Sequence, residues 1–348
     1  MKIVKEIIDG ISVTRITDDV YSYSFCYYSA NKWIDENRVV LLRDKELTPA
    51  LSYCGELVIV DLKNETEEKI LDYVRSYIVC GNILYYSFSD ELHSLDLETR
   101  EDKLLHKGLV FEYIHATKDG RYLNNGETID KAPNEIFKCY VYDTLTGEMT
   151  FEFEKSFSKP FCDADHGMIC PTDRNKIFFA HEGDTFYVSN RLWMYEKGKG
   201  MKCIAEQRLD TDGNLGDCFG HECWAPDGKG LYFVKYNCSP VGPRGISYVN
   251  ADGTGQRTAI YGKYPYWHVC ASPDGRFLAS DTQSGSYSGV CLIDTYSGNE
   301  KMFYKAKSNW THPTHPHPSF NLDGSKVMFH HMIDDKNCIR IANIKDIF

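Results

Sequence analysis

Histidine is the residue whose spacing first suggests chemistry in this chain. His221 lies six residues before Asp227, His268 six before Asp274 and His317 six before Asp323, while His166 lies seven before Asp173. The run THPTHPHPSF adds His312 and His315 to His317. Its prolines restrict the backbone to extended or polyproline-like conformations and remove amide donors, so these imidazoles sit on a stiff strand entry rather than a helix. Neutral imidazoles suit a transition metal, whereas the carboxylates that calcium prefers are not clustered here. If His268, His315 and His317 share one divalent ion with open coordination positions, His221 is left as an imidazole with an ordinary pKa of about 6.5, competent as a base near neutral pH.

The elements that must hold these side chains are read from a repeat. A turn followed by an apolar, β-rich run recurs as DENRVVLLRD at Asp35, CGNILYYSF at Cys80, KDGRYLNN at Lys118, TDRNKIFFA at Thr172, PDGKGLYFV at Pro226, PDGRFLAS at Pro273 and LDGSKVMFH at Leu322. These seven copies are spaced 38 to 54 residues apart, in the range of propeller blades. A second hairpin follows six of them, beginning at Leu57, Leu92, Cys139, Leu192, Ile246 and Cys291, so each blade reads as four strands. Asp-Gly at a tight turn supplies the positive φ a two-residue hairpin demands. After the seventh copy only CIRIANIKDIF remains, one strand short of a blade. The missing outer strand is assigned to Ile11 to Thr17, which would close the ring and remove open sheet edges. The fold expected is all-β, a seven-bladed β-propeller.

In such a fold equivalent positions on neighbouring blades point to one end of one channel, so His166, His221, His268 and His317 should converge. The competing reading makes each a histidine that caps its own blade. Against it, the earlier blades break the pattern: His115 is out of register and the first two blades have no histidine at the matching place. The stretch HEG from His181 to Gly183 ends one strand of the fourth blade, and RLW from Arg191 to Trp193 begins the next. Glu182 and Glu222 either orient histidines or are solvated. Arg191 offers a fork for a carboxylate, or else braces a blade edge.

Composition narrows the function classes. The chain has 348 residues, 42% of them hydrophobic and 14% aromatic, enough for one large repeat-built domain spanning 1–348. A net charge of −11 repels phosphate and excludes a nucleic-acid binder, and it gives an acidic substrate no long-range steering. Apolar stretches are too short and too often interrupted for a signal sequence or a membrane span. Thirteen cysteines, an odd number without CxxC pairs, fit buried thiols in a reducing cytoplasm better than ligands, Cys218 with Cys223 and Cys162 with Cys170 included. There is no GxSxG elbow, P-loop or glycine-rich dinucleotide fingerprint, and nothing in the pattern sets subunit number.

These features together resemble the oligogalacturonate lyases, the pectin-degrading propellers of polysaccharide lyase family 22. The resemblance is carried by HPHPSF at His315 to Phe320, WHVCASPDG around His268, GHECWAPDG around His221, and HEG with RLW. It implies a manganese ion held by His268, His315 and His317 plus a fourth ligand. The family's glutamine at that fourth position is replaced here by His312. It also implies His221 as the base that removes the C5 proton of a uronate. Arg191, His181 and His166 are expected to contact the substrate. The activity expected is β-elimination on short oligogalacturonides in the cytoplasm. The alternatives are a lyase for another uronate or pectic oligosaccharide, and a non-enzymatic propeller whose histidines bind metal or a partner.

Overall fold

The computed structural model describes residues 1–45, 54–129, 135–307 and 315–348. Its strands form seven antiparallel sheets, the blades of a seven-bladed β-propeller. Six of them have four strands in chain order, and each follows one of the sequence repeats. The fourth, for example, runs Ala164–Cys170, Asp173–His181, Leu192–Glu196 and Gly200–Cys203. The fifth runs Phe219–Trp224, Gly230–Lys235, Gly245–Asn250 and Arg257–Tyr261. No helix among the described residues is long and apolar enough to cross a membrane.

The last blade is built from both ends of the chain. Ser319–Phe320, Lys326–Ile333 and Lys336–Asn343 come from the C-terminal side, and Ile11–Thr17 pairs with the third of these through Val13 opposite Ala342 and Ile16 opposite Ile339. The strand assigned from the repeat count is therefore the one that completes this blade. A further strand, Lys2–Ile8, adds to its outer edge, giving a five-stranded sheet that counting repeats did not reveal. The two are joined at Asp9 and Gly10, whose φ values of 51° and 82° make the mirror-image turn that suits a two-residue hairpin.

The repeat turns are built differently from that hairpin. Gly228, Gly275 and Gly324 have φ of 68°, 74° and 73°, yet Asp227, Asp274 and Asp323 are absent from the positive-φ residues. Each aspartate instead accepts the backbone N–H two residues on, at 2.9 to 3.0 Å, and the glycine N–H donates to the carbonyl three residues back. This is a type I turn closed by a left-handed glycine, so the two-residue reading of these loops is corrected. The aspartate serves as a side-chain acceptor and not as a positive-φ residue.

The described chain falls into two compact units: Met1–Phe88, His93–Lys103 and Trp267–Phe348 form one, and Ser89–Leu92 with Leu104–Tyr266 form the other. In the first, Ile16, Met328, Ile339 and Ile341 of the last blade pack on Tyr23, Val39, Leu41, Val58 and Val60 of the first. Complete burial of a side chain such as Ile16 stabilises by about 2 to 3 kcal/mol, so the N-terminal strand is anchored by packing as well as by its ladder. In the second unit, Met168, Phe178, Leu192 and Met194 pack on Phe219, Leu231, Phe233 and Val249.

Candidate metal centre and a second histidine cluster

Three of the predicted ligands meet in the first unit. His268 stands on Tyr266–Ala271, and His315 and His317 precede the short strand Ser319–Phe320. All three are buried, at 2%, 3% and 2% exposure, and one ring nitrogen from each lies within 4.8 Å of the others. Ring centroids are 4.1 Å apart for His268 and His317, 4.2 Å for His315 and His317, and 5.4 Å for His268 and His315. His317 takes a left-handed φ of 46°, uncommon for a residue with a side chain. His312, the fourth expected ligand, lies outside the described residues.

One carboxylate organises this cluster. Asp281, buried on Phe277–Gln283, accepts the backbone N–H of His268 at 2.6 Å and that of His317 at 3.1 Å, tying two blades together. Its oxygens also lie 3.0 and 3.1 Å from Nδ1 of His268. A carboxylate facing Nδ1 fixes the tautomer and turns Nε2 into the ligand atom. Burial pushes the Asp281 carboxyl up to about 6, against the opposing effects of His315 and the two amides. His315 is fixed through its backbone, since Nδ1 of His330 donates to its carbonyl at 3.3 Å and the His330 ring stacks on Phe25 at 3.9 Å.

The donor set fits a divalent transition ion. Three imidazoles of borderline softness, one braced by a carboxylate, are the ligands such ions select, and each offers a ring nitrogen to the same small volume. Tyr28 covers this group: its ring stacks 5.9 Å from His317 and meets His268 edge-on at 5.2 Å. Tyr28 lies seven residues before Asp35, the offset of His166 from Asp173, so a search of the register for aromatic as well as imidazole rings would have found it. The fully buried Lys32 donates to the Tyr28 carbonyl at 3.2 Å and sits over Phe25.

The other predicted residues lie in the second unit. His221 and His166 occupy bulges, where the register shifts between Gly220 and Cys223 and between Asp165 and Met168, with φ of 54° and 58°. A bulge re-aims a side chain away from the regular alternation. His221 Nδ1 lies 3.1 Å from the Tyr236 hydroxyl. His166 Nδ1 lies 3.7 Å from Glu182 and 3.8 Å from Glu222. Burial opposes the charge on His166, but Glu222, Glu182 and Asp165 outweigh it and raise its pKa to about 9, so the ring is cationic at neutral pH.

Arg191 is buried and holds both oxygens of Glu182 at 2.7 and 2.8 Å, with a further bond to the His181 carbonyl. Its fork is occupied by a protein carboxylate, which burial alone would raise but which Arg191 and His166 hold below the usual range. His181 has Nε2 2.9 Å from the Phe161 carbonyl, Nδ1 3.2 Å from that of Ser189, and its ring stacked on Phe157 at 3.7 Å. Glu182 and Glu222, left open between orienting and solvated roles, both pair with His166. Asp281, Tyr236 and Lys32 were not found from sequence. A lone Asp within FLASDTQ is a faint signal, and Tyr236 and Lys32 carry none.

Comparison with known proteins adds to this geometry. The oligogalacturonide lyase of Pectobacterium atrosepticum is 26% identical over 203 residues, 52% of this chain and 50% of that one. The oligogalacturonate lyase of Dickeya dadantii is 25% identical over 201 residues, with the same coverage. This chain is similar to oligogalacturonate lyases. The chain spans about half the length of these curated relatives in the match. A solved oligogalacturonate lyase in complex with manganese superimposes with a TM-score of 0.82 over 98% of this chain and 96% of that one, at 18% identity. The lyase structure from Vibrio parahaemolyticus gives 0.80 over 99% and 96%, at 17% identity. At that identity the structural likeness establishes the shared fold. No protein-family model matches the chain.

Proposed function

We propose that this protein is a metal-dependent lyase that cleaves short oligogalacturonides by β-elimination. The observation that carries the reading is the buried trio of His268, His315 and His317, braced by Asp281 on a propeller with the fold of a manganese-bound oligogalacturonate lyase. His268, His315 and His317 would hold the ion, with His312 as fourth ligand. A divalent ion bound there supplies Lewis-acid neutralisation of a uronate carboxylate, which makes the adjacent C5–H acidic enough to remove.

His221 is the general base: Nε2 takes the C5 proton, the C5–H electron pair becomes the C4–C5 double bond, and the C4–O bond breaks with its electrons on the departing sugar oxygen. That oxygen takes a proton from water, and His221 returns its own to solvent. A positioned base contributes about 10² to 10⁴-fold. His166, cationic at neutral pH, supplies positive charge against an anionic substrate. Arg191 and His181 act on the substrate side through the same segment, Arg191 by holding Glu182 against His166. The seven blades work as one domain, and thirteen free thiols suit a reducing cytoplasm. The test is the ultraviolet absorbance of the 4,5-unsaturated product after mixing with digalacturonate or trigalacturonate, with and without manganese. Metal-dependent absorbance is expected, and its absence with both substrates overturns the assignment.

A further inference from the structure

The strand that carries His221 is built around a phenol. Tyr236 is buried, its hydroxyl 3.1 Å from Nδ1 of His221 and its ring edge-on to the imidazole, with centroids 5.4 Å apart at 73°. Gly220, next to His221, has no room for a side chain, because a Cβ there would overlap the Tyr236 hydroxyl. The Tyr236 backbone is itself fixed by an N–H bond of 2.9 Å to the Cys218 carbonyl. Glycine, bulge and left-handed histidine thus share one consequence: Nδ1 of the imidazole is brought onto the phenol.

The groups facing that phenol are Arg191, Glu222, Glu182 and Cys238. Burial pushes the phenol well above its ordinary pKa, Arg191 opposing and the two carboxylates adding, so the hydroxyl keeps its hydrogen. A phenol has one hydrogen to donate and oxygen lone pairs to accept with.

We propose that Tyr236 is a positioning residue for His221, accepting its Nδ1–H and holding the imidazole in the tautomer whose Nε2 lone pair can take a proton. The reverse bond, phenol to Nδ1, would place the ring hydrogen on Nε2 and disable that atom as a base. Once Nε2 is protonated, the same oxygen continues to accept Nδ1–H from the imidazolium, so no group has to reorient. The inference rests on the reading of His221 as general base.

The experiment compares wild type, Tyr236→Phe and His221→Ala as full chains with manganese and trigalacturonate. Imidazole ¹⁵N shifts report the tautomer, with the His221 resonance assigned by its loss in His221→Ala. Tyr236→Phe should lower kcat about 10 to 100-fold, the scale of one buried hydrogen bond acting through a base, with KM and bound manganese unchanged. Its His221 should shift to the Nε2–H form. If His221→Ala is inactive but Tyr236→Phe keeps both wild-type kcat and tautomer, the positioning role is overturned and the base assignment stands. If His221→Ala retains turnover, both fall. Should Tyr236→Phe not fold, the wild-type spectrum decides alone, since a protonated Nε2 at neutral pH refutes the inference.

Discussion

Replacing Asp281 by asparagine isolates what a single carboxylate does for the metal centre. In the native protein Oδ1 accepts the His268 N–H at 2.6 Å and faces His268 Nδ1 at 3.1 Å, while Oδ2 accepts the His317 N–H at 3.1 Å. Asparagine has one oxygen, which can retain the bonds to His268, and its amide nitrogen then opposes the His317 N–H donor to donor. One buried amide is left unsatisfied, at a cost of about 1 to 3 kcal/mol. The negative charge that raises the basicity of His268 is lost as well, and loss of such a partner typically weakens metal binding about 10 to 100-fold. We therefore expect Asp281→Asn to fold with a melting temperature lower by several degrees and to bind manganese 10 to 100-fold more weakly in a calorimetric or electron paramagnetic resonance titration. His268→Ala should abolish binding on the same preparation scheme, and a double variant should add nothing to it. Manganese affinity within twofold of wild type in Asp281→Asn would refute the claim that this carboxylate organises the ligands.

Three further outcomes follow from the geometry. His315→Ala and His317→Ala should each lose bound metal on elemental analysis, and a chelator should abolish lyase activity reversibly; full metal retention in either variant removes that residue from the ligand set. His221→Ala should lose at least about 10²-fold in kcat with metal content unchanged, whereas near-normal turnover with a lowered melting temperature would make it a structural histidine. His166 has a folded pKa of about 9, above the unfolded value of 6.5, so its contribution is complete below pH 6.5 and is lost as pH rises through 9. The shift corresponds to about 3 kcal/mol, and stability between pH 7 and 10 should fall more steeply in wild type than in His166→Gln. Parallel curves would show that the ring is not held charged by Glu182 and Glu222.

Much of the fold was legible because propeller blades are made from local signals. A turn bearing an aspartate, a glycine or both recurs with every blade, and each of the Asp-Gly turns is closed by contacts within about five residues, so the repeat announces itself without knowledge of distant partners. The strand Ile11–Thr17 was found by counting, since a blade short of a strand needs one from elsewhere. Lys2–Ile8 was missed because a fifth strand is required by no count. The loops were assigned the wrong turn because Asp-Gly serves both as a two-residue hairpin and as the end of a type I turn, and only backbone angles distinguish them.

For the site, spacing along the chain marked which imidazoles stand at equivalent places, because register within a repeat is a local property. His268 and His317 were marked on that basis, and His315 by its place in the proline-spaced run beside His317. Tertiary structure decided what surrounds them. Asp281 reaches His317 across 36 positions of sequence, and Tyr28 lies on His317 from the opposite end of the chain. Arg191 could equally have faced a substrate carboxylate until the fold placed Glu182 in its fork. The hydrogen-bond partner of His221 likewise depends on Tyr236, just past the neighbouring strand, which fits only because residue 220 is glycine. Side-chain partners of buried polar groups are chosen by proximity in three dimensions, and burial makes each unsatisfied choice cost about 1 to 3 kcal/mol, so such pairings are decided by packing that no spacing along the chain encodes.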